Sequence, residues 1–80
     1  MVRANPVDPR DIRWEVDHPA YLVHFWQKGM TDEWELDGAD VDEVLRWAAD
    51  NAGGRHYAVY ACVGDAEGRG LIRLLGSDLP

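Results

Sequence analysis

Serine and threonine occur once each, as Ser77 and Thr31, and lysine once, as Lys28. With so few small hydroxyl residues the chain holds no polar linker, and no repeat or low-complexity segment interrupts it. Cysteine is also single, Cys62, which excludes an intrachain disulfide and fits a reducing, cytoplasmic setting. No apolar run approaches the roughly 18 residues of a membrane span. The opening Met1-Val2-Arg3-Ala4-Asn5-Pro6 lacks the apolar stretch of a signal peptide. Positive charge is scarce too, with 8 Lys+Arg against 15 Asp+Glu and a formal net charge of −7. A domain of that sign repels phosphate backbones, so direct binding to DNA or RNA is not expected, whereas a basic protein would be attracted and steered. Seven arginines for one lysine fit a GC-rich, bacterial coding sequence.

The chain has 80 residues, 46% hydrophobic and 29% charged. That length holds one core and hence one domain, residues 1–80, and the composition is that of a globular chain. Its charge is unevenly placed. Residues 32–50 carry eight acids (Asp32, Glu33, Glu35, Asp37, Asp40, Asp42, Glu43, Asp50) and one base, Arg46, so this segment sums to −7; the remaining seven acids and seven bases cancel.

Residues 1–10, with Pro6 and Pro9, read as an extended lead-in. Ile12 to Asp17 alternates apolar and charged residues, the pattern of a half-buried strand. Tyr21 to Trp26 is apolar at nearly every position, which predicts a strand covered on both faces or exposing one apolar face. After a loop over 28–32, Glu33 to Asp37 alternates again, with its acids on one face. Asp40 is a suitable N-cap with Glu43 three residues on, and Val41, Val44, Leu45, Ala48 and Ala52 form one helical stripe that stops at Gly53-Gly54. Arg55 to Val63 predicts a further strand, 64–70 a glycine-rich hairpin loop, Leu71 to Leu75 a last strand and 76–80 a tail. The expected architecture is α+β: one small domain with an antiparallel five-stranded sheet, in the order β-β-β-α-β-β, and one helix packed on one face.

One helix leaves one sheet face open, and that face is the main candidate for function. The strand at 21–26 must point either Tyr21, Val23 and Phe25 or Leu22, His24 and Trp26 toward it, and the strand at 55–63 adds a second apolar row. An aromatic strip flanked by charge is the pattern of a protein-binding surface. The candidate contact residues are therefore Tyr21, Phe25, Trp26, Tyr57 and Tyr60, with the acidic row Glu33, Glu35 and Asp37. Trp47 joins them because it falls off the axis of the helical stripe and tryptophan is common at interface hot spots. The ordinary roles of the same groups are core packing for the aromatics, macrodipole stabilisation for Asp40, Asp42 and Glu43, and protection of a sheet edge by the acidic row.

Chemistry finds little support. His18, His24, His56 and Cys62 are of metal-ligand type, but no CxxC, HxH or HExxH spacing occurs, so no metal and no cofactor are expected. Ser77, Thr31 and Cys62 are poorly placed as nucleophiles, and Gly64, Gly68 and Gly70 match no phosphate loop. Catalysis by the chain alone is not expected. The pattern favours a small acidic interaction module that binds and neutralises or regulates a larger, basic protein, as an immunity protein, antitoxin or accessory subunit does. The alternative is a homodimer, joined through the open sheet face, with a small-molecule site or a small active site between the paired sheets.

Overall fold

The fold is described from a computed structural model, which places residues 2–11, 19–65 and 68–76. Four strands, β1 (Tyr21–Gln27), β2 (Met30–Leu36), β3 (His56–Asp65) and β4 (Gly68–Leu75), and one helix, α1 (Val41–Asn51), follow in the chain order β1-β2-α1-β3-β4. They form one antiparallel sheet in the spatial order β2-β1-β3-β4. The lead-in is not extended throughout: Pro9–Asp11 makes a short 3-10 turn, and the Asp8 carboxylate accepts from both the backbone and the guanidinium of Arg10, at 3.0 and 2.8 Å.

This corrects the expected five-stranded sheet. Among the described residues the sheet has four strands, and the alternating segment 12–17 lies outside them. The reason lies in the second neighbour of β1, since an interior strand has two edges to satisfy. In a three-stranded meander the free edge of β1 would go to the preceding segment. Instead the chain leaves β2, crosses through α1 and returns beside β1 as β3, parallel to β2, so β1 is sandwiched between β2 and β3. The ladder continues past the end of β1, where the Cys62 N–H donates to the Ala20 carbonyl at 2.9 Å.

Two strands also begin earlier than their side chains suggest. Lys28 and Gly29 have φ of 48° and 80°, the double positive φ of a tight two-residue hairpin turn, so β2 resumes at Met30 rather than after a five-residue loop. The glycine-rich stretch near 64–70 pairs in the same way, with Val63 opposite Gly70, Gly64 opposite Arg69 and Asp65 opposite Gly68. Its composition is that of a loop, but ladder bonds use the backbone, which glycine keeps. Gly64 has φ of 116°, and a Cβ there would run into the Gly68 carbonyl oxygen, so the close crossing of these two strands requires glycine.

The helix begins as its sequence predicts, with the Glu43 carboxylate accepting from the Asp40 N–H at 3.2 Å, the returning half of a capping box. Its buried stripe, Val44, Ala48 and Ala52, packs on Tyr21, Val23, Phe25 and Val59 to form the core. Trp47 closes one side: its ring lies 6.0 Å from Phe25 and 5.9 Å from Trp34 of β2. Val41, expected in the stripe, remains exposed. At the other end Arg55 acts as a clamp. Its Nε donates to the Ala52 carbonyl and its Nη2 to the Asn51 carbonyl, each at 2.9 Å, satisfying the last helical acceptors, while its guanidinium rests 4.3 Å above the Phe25 ring. The helix covers β1 and β3 and leans toward β2; all of β4 stays exposed.

Candidate functional site

The alternation of β1 decides which side chains reach the open face. Tyr21, Val23 and Phe25 are buried beneath the helix, so Leu22, His24 and Trp26 point the other way. Register then assembles the rest of that face. Leu22 stands opposite Glu35 and Tyr60, His24 opposite Glu33 and Ala58, and Trp26 opposite Thr31 and His56. Farther out, Tyr60 meets Arg73, Cys62 meets Leu71 and Gly64 meets Arg69.

Of the residues predicted to make partner contacts, Trp26 and Tyr60 are on the open face, half-buried, beside Glu33 and Glu35. Tyr21 and Phe25 are core residues, 6% and 0% exposed. Tyr57, directly opposite Phe25 and 6.0 Å from its ring, is on the helix side with Trp47. Asp37 lies just beyond β2 and is exposed. The predicted set is thus divided between the two faces, because a strand that is apolar on both sides carries no mark of which side the helix will cover.

The acidic row is largely engaged within the chain. Glu33 Oε1 lies 2.9 Å from His24 Nδ1, so an ionised Glu33 accepts the Nδ1 proton. Glu35 accepts from Arg69 Nη2 at 3.1 Å, an interaction that reaches across the face from β4 to β2. Glu35, and after it Cys62, hold the Arg69 guanidinium pKa above its ordinary value. Asp32, on the other face, accepts from Trp34 Nε1 at 2.9 Å and from Arg55 Nη1 at 3.4 Å. Glu43 is taken by the helix cap. Asp37, Asp42 and Asp50 remain as exposed carboxylates without a partner among the described residues.

His24 is the site residue that patterning missed. It is 5% exposed, and its Nε2 is buried with no hydrogen-bond partner among the described residues. Trp26 has His24 on one side, with ring centroids 5.7 Å apart, and stacks on His56 at 5.8 Å and 27°. A signal for the Glu33–His24 pair was present. A two-residue Lys28-Gly29 turn pairs Gln27 with Met30, and counting back along the two strands sets His24 opposite Glu33.

A cleft of about 450 Å³ opens at the β1–β2 hairpin, lined by Gln27, Lys28, Met30, Thr31, Asp32 and Arg55. Of its three charged groups, Asp32 and Arg55 already bond each other and Arg55 also the helix end, which leaves Lys28 with the polar side chains of Gln27 and Thr31. Among the described residues no group of three or more His, Cys, Asp or Glu side chains could hold a metal ion. None of their helices is long and apolar enough to cross a membrane. No protein-family model, curated protein or solved structure matches the chain.

Proposed function

We propose that the chain is a small acidic interaction module that binds a larger, basic protein and neutralises or regulates it, in the manner of an immunity protein, antitoxin or accessory subunit. The observation that carries this reading is the sheet face away from α1: among the described residues no helix packs on it, and Leu22, Trp26 and Tyr60 sit there half-buried around the buried His24 and Ala58. Aromatic side chains held on a hydrogen-bonded sheet offer large areas for a partner to bury. The charge supports a basic partner. With Glu33 and Glu35 engaged, the steering role falls to Asp37, Asp42 and Asp50, on and beside the helix. Cys62 is free and only half-buried, which supports a reducing, cytoplasmic setting.

The test is capture on the immobilised chain from lysate of its source organism, beside the double variant Asp37→Lys, Asp50→Lys. These two changes move the net charge from −7 to −3. Lysine in the last helical turn also suits the macrodipole, so the fold should hold. The reading expects a basic protein retained by the native chain at low salt and lost by the variant. Equal retention by both would count against it.

The alternative, a homodimer enclosing a small-molecule site, draws on His56, Trp26 and Tyr60 on the same face. A ligand that raises Tm and protects Trp26 fluorescence from quenching would favour it.

A further inference from the structure

β2 is a sheet edge, and the row it shows on the helix side is only partly covered. Register sets Trp34 opposite Val23, Asp32 opposite Phe25 and Met30 opposite Gln27, on the face that α1 packs against. The helix meets this row through Trp47, whose ring lies 5.9 Å from that of Trp34 at an angle of 64°. Trp34 remains 48% exposed and Met30 77%. The Trp34 ring is nevertheless held, because its Nε1–H donates to Asp32 at 2.9 Å while Trp47 stands against it. The result is an aromatic surface that is fixed in place and open to solvent.

Charge gives that surface a sign. With its cap, α1 carries Asp40, Asp42, Glu43 and Asp50 against Arg46, four acids less one base, a surplus of −3. At 3.6 residues per turn, Glu43 and Asp50 fall within about 60° of Trp47 around the helix, on the side away from the buried Val44 and Ala48. Glu43 is taken by the cap. Asp50 is exposed and has no partner among the described residues. It stands in the last helical turn, which holds no base, where the macrodipole disfavours an acid. Helix stability gives no reason for a carboxylate there, whereas a cation arriving beside Trp47 does. Arg55 does not supply that cation, since its guanidinium is bonded to Asp32 and to the Asn51 and Ala52 carbonyls.

The molecule itself shows what such a pairing holds. Arg55 lays its guanidinium 4.3 Å above the Phe25 ring while Nη1 donates to Asp32 at 3.4 Å, so an arginine lies between an aromatic face and a carboxylate. Trp34 and Asp50 present the same two elements to solvent, and indole is the best aromatic face for a cation. A guanidinium, planar and weakly hydrated, stacks on that face more readily than an ammonium.

We propose that Trp34, backed by Trp47 and with Asp50 beside them, is the seat of an arginine side chain of the basic partner. This rests on the reading above that the partner is basic, and it places one of the partner's cations on the helix side of the β2 edge.

The probe is a hexa-arginine peptide, titrated into the ¹⁵N-labelled full chain at 50 mM salt. A hexa-citrulline peptide, of the same shape without charge, is the control. The indole N–H signal of Trp34 should move with hexa-arginine and stay with hexa-citrulline, while that of Trp26, on the open face, stays with both. Trp34→Leu keeps apolar bulk and removes the ring; it should weaken hexa-arginine binding about two- to fivefold. Asp50→Asn leaves the indoles in place and relieves the macrodipole, so it keeps the fold, and it should weaken binding about 1.5- to fivefold. Should Trp34→Leu unfold, Asp50→Asn and the Trp34 signal carry the test. Hexa-arginine binding that neither variant weakens overturns the seat and leaves a basic partner standing. Movement of the Trp26 signal in place of Trp34 also overturns it, by moving the cation to the open face. No binding of hexa-arginine at 50 mM salt overturns the seat and the basic partner together.

Discussion

Replacing Trp47 by alanine separates a core tryptophan from an interface one. The side chain is half-buried on α1 and rests against Phe25 and Trp34, with ring centroids at 6.0 and 5.9 Å. A fully buried Trp→Ala change costs about 3–5 kcal/mol. Partial exposure lowers that figure, although the change also removes two ring pairs worth about 0.5–1.5 kcal/mol each. The expected loss of stability is therefore about 2–3 kcal/mol. An 80-residue domain holds only about 4–12 kcal/mol in total, so the change is large. At about 4–8 °C per kcal/mol for a domain of this size, Tm should fall by roughly 10–20 °C. The assay is paired thermal and urea unfolding followed by far-ultraviolet circular dichroism, with Trp47→Phe as the control that keeps a ring and loses less than half as much. A Tm change below about 3 °C for the alanine variant would refute the packing role. Weakened partner capture at full stability would return Trp47 to the interface.

Three other side chains can be tested singly. Arg55→Ala removes two bonds to the helix end and the cation over Phe25; it should cost about 1–3 kcal/mol, read as a lower urea midpoint at unchanged slope. Gly64→Ala places a Cβ against the Gly68 carbonyl at a φ of 116°; a loss of about 2 kcal/mol or more is expected, with amide shifts confined to the β3–β4 hairpin, and a neutral result would contradict the close crossing. Glu33→Gln keeps an acceptor for His24 Nδ1 and should be nearly silent. Glu33→Ala leaves both ring nitrogens of a buried imidazole unpartnered and should cost about 1–3 kcal/mol; equal Tm values for the two variants would show the bond to be unimportant.

Local structure is well marked in the chain. The Asp40 and Glu43 pair and the stripe Val44, Ala48, Ala52 locate the helix, and the apolar runs at 21–26 and 55–63 locate the two inner strands. What local pattern does not encode is which strand lies beside which. Alternation with a period of two tells which residues share a face, and it leaves the face of β1 open between two sets because both are apolar. The helix stripe decides it by covering Tyr21, Val23 and Phe25. The second neighbour of β1 is equally hidden, because a crossover through α1 competes with a preceding strand for the same edge, and periodicity is silent on that contest.

The acidic row illustrates the limit at the candidate site. Three acids at alternate positions read as a free charged face. Cross-strand register gives Glu33 to His24, while the reach of Arg69 gives Glu35 an intramolecular partner. Charge counted along a sequence therefore overstates the charge available to a partner, and within residues 32–50 the exposed carboxylates without a partner among the described residues are those of Asp37, Asp42 and Asp50. That α1 packs on one side of the sheet is legible, because a single helix covers only one side.

The most direct test of the central claim, that this is an acidic module for a basic protein, is the association rate of the captured protein measured at 50 and 500 mM salt. The account predicts a rate that falls at least tenfold with salt for the native chain. It predicts a much smaller fall for Asp37→Lys, Asp50→Lys. A rate indifferent to salt and to both substitutions would contradict it.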